Sequence, residues 1–126
     1  MHEILIVEDE EFLLRALQDN LKEEGYGVQV ARNGEEAIAV VSTKKPSLIL
    51  LDLLLPKRDG FWVLGELKKN PEWALIPVVV LSNLGGDNDI KRALQLGARD
   101  YFVKSQHPIG EVVEKVKYVL EETPRA

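Results

Sequence analysis

Four apolar runs in this sequence each end in a side chain that could do chemistry. Ile4 to Val7 stops at Glu8-Asp9, Leu48 to Leu51 at Asp52, Pro77 to Leu81 at Ser82, and Tyr101 to Val103 at Lys104. A carboxylate at the end of a buried run is costly to desolvate unless a cation or a hydrogen-bond donor meets it. Glu8, Asp9 and Asp52 together offer the oxygen donors that suit Mg²⁺, a hard ion that usually keeps several waters. An Asp carboxylate is also a nucleophile towards phosphoryl groups, giving an acyl phosphate. A lysine and a metal ion would neutralise charge during such a transfer, and a hydroxyl would hydrogen-bond the transferred group. Singly, each signal is ordinary, since an acid pair after a strand is more often a solvated loop. Their joint placement, each at the carboxyl end of its own run, is what points to a divalent cation and a phosphoryl group.

Placing these residues together requires the runs to be parallel strands of one sheet, because open α/β sheets hold their ligand sites along the carboxyl edge. The intervening segments supply the crossovers. Glu10 to Glu24 carries Leu13, Leu14, Leu17 and Leu21 on one helical face and is followed by Gly25, where a helix commonly stops. Phe12 lies roughly opposite that stripe and is expected to fold back onto its neighbours. Val28 to Ala31 reads as a second strand, and Asn33-Gly34 as a turn from which Glu35 starts a helix through Ala37, Ile38 and Val41. After Asp59-Gly60, Val63, Leu64 and Leu67 mark a third helix ending near Asn70-Pro71, with Trp62 off the stripe and towards the surface. Asp87 is expected to cap a fourth helix with Ile90, Ala93 and Leu94 inward, closed by Gly97. Pro108 is placed to open a fifth, with Ile109, Val112, Val113, Val116, Val119 and Leu120 inward. Strand and helix alternate throughout, which argues an α/β fold: a five-stranded parallel sheet with right-handed crossovers and helices on both faces.

With 126 residues and no Pro/Gly/Ser-rich linker or charge run, the chain is expected to form a single domain over 1–126. Its 21 acids and 16 bases are spread along the sequence, leaving no basic stripe for a nucleic-acid backbone, so direct nucleic-acid binding is not expected. There is no cysteine, and the two histidines, His2 and His107, are too far apart in sequence to suggest a zinc cluster. No apolar stretch approaches the ~20 residues of a membrane span, so no membrane insertion is expected, and a cytoplasmic location is.

The motifs ILIVEDE at Ile4 to Glu10, LDLLLPKRDG at Leu51 to Gly60, VVVLS at Val78 to Ser82 and GARDYFVK at Gly97 to Lys104 closely resemble those of the receiver domains of two-component response regulators, in order and spacing. The resemblance covers Glu3 to about Glu122. It implies a flavodoxin-like topology with strand order 2-1-3-4-5, and a phosphoacceptor switch that catalyses its own phosphorylation and dephosphorylation. On that resemblance Asp52 matches the phosphoryl acceptor. Asp9 matches the direct ligand of Mg²⁺, Glu8 a water-mediated one, and the backbone carbonyl of Leu54 a further one. Ser82 and Tyr101 match the switch pair, and Lys104 the lysine that pairs with the phosphoryl group. The implied donor is a histidine kinase or a phosphotransfer protein, and the implied output is a downstream protein docking within 87–120. Because the chain ends shortly after the fifth helix, no output domain is expected on it.

Two departures from the family pattern stand out. Ser105, in place of proline, follows Lys104, and a cis bond before a non-proline residue costs ~2.5–4 kcal/mol, so a trans bond is expected there. Asn83 follows Ser82 where the family usually has a small residue, and it could crowd the phosphoryl site or offer it a hydrogen bond. Two rival readings differ in kind. A haloacid-dehalogenase-like phosphohydrolase would need a second Asp two residues beyond Asp52, where Leu54 stands. A receiver-like binding module that is not phosphorylated would usually lack an acid, the hydroxyl or the lysine, and none is missing.

Overall fold

The computed structural model describes residues 2–122. Its elements run β1 (Glu3–Val7), α1 (Glu11–Glu23), β2 (Gly27–Ala31), α2 (Gly34–Thr43), β3 (Leu48–Leu51), α3 (Gly60–Lys69), one 3-10 turn (Trp73–Leu75), β4 (Val78–Ser82), α4 (Asp87–Gln95), β5 (Asp100–Val103) and α5 (Ile109–Glu122). The strands form one parallel sheet in the order β2-β1-β3-β4-β5, as the sequence led one to expect. Met1 and residues 123–126, which the expected 1–126 span includes, lie outside the described residues.

The alternation of side chains along the strands divides the core in two. Leu5, Val7, Ile49, Leu51, Val78 and Val80 face α2 and α3, packing with Ala37, Val41, Leu64 and Leu67. Ile4, Ile6, Leu48, Leu50, Val79 and Leu81 face the opposite way, against Leu14, Leu17 and Leu21 of α1 and the buried stripe of α5. All four residues of β3 are buried, which is why its run is continuously apolar rather than alternating.

The helix boundaries follow their capping chemistry, in places one residue from expectation. Asn33 is the N-cap of α2, its side chain accepting from the Glu36 N–H while Glu36 reaches back to the Arg32 N–H at 3.0 Å. That reciprocal pair starts the helix at Gly34 rather than Glu35. Helix α4 is capped by Gly86 without a side-chain bond, so Asp87 is its first residue and not its cap. Helix α5 begins at Ile109, with Pro108 just outside it. Gly25 and Gly97, at φ +89° and +106°, end α1 and α4 as expected, in a conformation side chains disfavour.

Three side chains differ from expectation. Phe12 does not fold back: it is 91 % exposed, because the first turn of α1 stands clear of any neighbour on that side. Leu94, expected inward on α4, is 45 % exposed. Trp62 is only partly at the surface: it is half-buried against the core, with the Arg58 guanidinium 5.2 Å from its ring centre.

Candidate functional site

The sheet itself aligns the polar residues that follow its strands. Backbone bonds of sheet type continue past the strand ends: Glu8 N–H to Ala31 O at 3.0 Å, Asp52 N–H to Val7 O at 3.0 Å, and Lys104 N–H to Ser82 O at 2.9 Å. Glu8, Asp52, Ser82 and Lys104 therefore stand in a row along the carboxyl edge, each fixed by a neighbouring strand. The loop after Asp52 is pinned as well. Gly60 donates to Leu53 O at 3.0 Å, and a Cβ there would lie 2.5 Å from the Asp52 carbonyl oxygen, so the chain closes back on the acid only with glycine at this position.

The side chains converge on Asp52, which is 4 % exposed. Its Oδ1 accepts from the Ser82 hydroxyl at 2.7 Å and the Leu54 N–H at 3.1 Å; its Oδ2 accepts from Lys104 Nζ at 2.9 Å. Lys104 Nζ also lies 2.8 Å from Glu8 Oε1 and 3.3 Å from Glu10 Oε2. One ammonium thus faces three carboxylates. Burial on its own would lower the lysine's pKa, but hydrogen bonds to Glu8 and Asp52, with their charges, raise it.

Glu8 shows what that single cation leaves undone. Its carboxyl is pushed up to about 7, first by burial, with the Asp52 charge adding to the rise and the hydrogen bond from Lys104 opposing it. Carboxylate oxygens of Glu8, Asp9 and Asp52 all lie within 4.8 Å of one another, and Asp9 faces solvent. An all-oxygen donor set with surplus negative charge and one open side fits a divalent cation.

A relay leads away from the acid. The Leu84 N–H lies 3.4 Å from Ser82 Oγ, and the Leu84 carbonyl accepts from the Tyr101 hydroxyl at 2.5 Å. Asp52, Ser82, Leu84 and Tyr101 are therefore connected through one short stretch of backbone. Burial raises the Tyr101 pKa, which keeps the phenol a donor. Asn83 between them is exposed.

Residues 4–117 match the response regulator receiver domain. The chain belongs to that family. It is 41% identical over 117 residues to the alkaline phosphatase synthesis transcriptional regulatory protein PhoP of Bacillus subtilis, covering 93% of this chain and 48% of that protein. The chain spans about half the length of the curated relatives it matches. Among solved structures it resembles the signal receiver domain of a histidine kinase from Syntrophus aciditrophicus, at 36% identity and a TM-score of 0.90 over 100% of this chain and 95% of that one. It also resembles the Mn²⁺-bound form of response regulator Rcp1, at 33% identity and a TM-score of 0.87 over 99% of this chain and 98% of that one.

As a receiver domain the chain is a phosphoacceptor signalling module, and neither rival reading is favoured. The fold brings Glu8, Asp9, Asp52, Ser82 and Lys104 together and sets Tyr101 one backbone link away. Leu54 meets Asp52 through its N–H. The Lys104–Ser105 bond is trans, as expected, and there is no cis peptide bond among the described residues. Glu10 was not singled out from the sequence, because a residue at a helix start reads as a capping position. The available signal was a third consecutive acid facing one lysine. No helix of the described residues is long and apolar enough to cross a membrane.

Proposed function

We propose that Asp52 accepts a phosphoryl group from a histidine kinase or a phosphotransfer protein, in a reaction the domain itself catalyses with Mg²⁺. The single observation behind this is the environment of Asp52: a buried carboxylate met by a hydroxyl on one oxygen and an ammonium on the other, at the edge of the sheet. Glu8, Asp9 and Asp52 would hold the ion, joined by the Leu54 carbonyl. A divalent ion, supported by the Mn²⁺-bound relative, would neutralise part of the charge that the acids and the phosphoryl group bring together.

In the transfer, a carboxylate oxygen of Asp52 forms the new P–O bond as the donor's P–N bond breaks, and the imidazole leaves with the electron pair. Lys104 then has phosphoryl oxygens to pair with, and its ammonium offsets the added charge. The Ser82 hydroxyl, which donates to Asp52 in the resting chain, redirects to the phosphoryl group. That motion pulls on Leu84, and through its carbonyl on Tyr101, so Ser82 and Tyr101 act as the switch. A face within 87–120 is the docking surface for the downstream protein. The same site hydrolyses the acyl phosphate in time, and the domain works in the cytoplasm without binding nucleic acid directly.

Labelling with a small-molecule phosphodonor tests this. The parent should be labelled only with Mg²⁺ present, and Asp52→Asn should lose the label while keeping its fold, because an amide is a far poorer nucleophile. Undiminished labelling of Asp52→Asn would remove Asp52 as acceptor. Failure of the parent to label at all would favour an unphosphorylated module, and turnover of a phosphomonoester would favour a hydrolase.

A further inference from the structure

Helix α4 is thinly attached to the sheet. Ala93 is its buried residue, Ile90 is half-covered and Leu94 is 45 % exposed. It enters from Gly85-Gly86, with no side chain capping its first turn. Two side-chain contacts from α3 supplement that small area. Lys68 Nζ donates to the Gln95 carbonyl at 3.2 Å, and the Arg92 guanidinium lies over the Phe61 ring at 4.1 Å from its centre.

Phe61 is not a neutral anchor. It is the residue after Gly60, in the first turn of α3, and only 8 % of it is exposed. Its backbone is set by the loop that begins at Asp52, where Gly60 closes onto Leu53 and the Asp52 carbonyl. The Arg92–Phe61 contact therefore ties α4 to the acid site by a route separate from Ser82, Leu84 and Tyr101.

We propose that Arg92, stacked on Phe61, is a clasp that holds α4 in its resting position, so that filling the Asp52 site must work against it. The coupling to that site rests on the reading of Asp52 as phosphoryl acceptor; the clasp itself does not. A contact made in one position of α4 and lost in another favours the first, and a ligand that prefers the second binds more weakly by the same factor. The planar guanidinium matters here, since lysine carries the charge without the same stacking face. Arg92 also sits in the last turn of α4, where any cation is favoured by the helix dipole. Arg92→Lys separates the two effects.

Two measurements on the full chain test the clasp. Amide hydrogen exchange across Asp87–Gln95 in the unliganded protein should quicken about two- to five-fold in Arg92→Gln and in Phe61→Leu. The double variant should be no faster than either single one, and Arg92→Lys should fall between parent and Arg92→Gln. Unchanged exchange in Arg92→Gln, or additive effects in the double variant, overturns the clasp even if Phe61→Leu perturbs the core. Beryllofluoride affinity with Mg²⁺ should rise by a similar factor in Arg92→Gln. Equal affinity alongside quickened exchange overturns the coupling to the acid site. Absence of beryllofluoride binding by the parent refutes the acceptor reading, and the exchange result still decides the clasp.

Discussion

Helices α4 and α5 both pack beside β5, yet different forces hold them there. Helix α5 buries Val112, Val113, Val116, Val119 and Leu120, a continuous stripe on one face of the sheet. Helix α4 buries Ala93, half-covers Ile90, and is also held by Arg92 over Phe61, by Lys68 at its carboxyl end and by the Leu84–Tyr101 bond at its entry. Apolar area is non-directional and roughly additive, so α5 has no cheap alternative position. A few directional contacts can be exchanged for others at little cost, and this is why the clasp proposed above is placed on α4 and not on α5. The two helices are thus distinguished by how each is attached, more than by where it lies.

The largest effect on that comparison should come from α5. Val116 is fully buried, and Val116→Ala removes apolar volume where the packed stripe cannot collapse, costing about 2–3 kcal/mol. Denaturant unfolding measures it. A loss below about 1 kcal/mol, the ordinary size of a mild substitution, would mean that α5 is no more firmly attached than α4.

A change of pH should reach the polar attachments and leave the apolar ones alone. The Glu8 carboxyl is raised from 4.5 to about 7, so the folded state favours its protonated form. Its stabilising contribution is complete below about pH 4.5 and is lost as pH rises through about 7. The size is on the order of 1–2 kcal/mol. Glu8→Gln isolates the effect: it should match the parent near pH 4.5 and exceed it in stability at pH 8. Adding Mg²⁺ should shrink the difference, since a bound cation holds Glu8 ionised. A parent that gains stability relative to Glu8→Gln between those pH values would reverse the sign assigned here.

The same contrast explains what could be read from the sequence. The runs at β1, β3 and β4 are buried on both faces, and such strands announce themselves as unbroken apolar stretches. Once they are parallel, topology alone carries Glu8, Asp52, Ser82 and Lys104 to one edge, so the acid site is legible in the sequence. The α5 stripe was legible because nearly every inward position is occupied by an aliphatic side chain. Leu94 was misread for the complementary reason: periodicity identifies a face of α4, but not how wide a strip of that face the fold covers. Phe12 was misread because its orientation depends on whether anything stands beside the first turn of α1. Glu10 at Lys104 and Arg92 on Phe61 are pairings between distant segments, which no local pattern encodes.

Leu94→Ala should have the smallest effect, and it is the sharpest control on the comparison. With 45 % of Leu94 exposed, truncation removes little buried area. Alanine is also at least as good a helix former as leucine, which offsets part of what is lost. The net change in unfolding free energy should stay within about 0.5 kcal/mol, the range of surface substitutions. Exchange across α4 should likewise match the parent, in contrast to Arg92→Gln, where the contact with Phe61 is removed. If Leu94→Ala instead costs more than about 1 kcal/mol, or loosens α4 as much as Arg92→Gln does, then α4 is held by apolar area after all. The distinction between the two helices would then be one of degree, and the directional contacts from α3 would not be what sets its resting position.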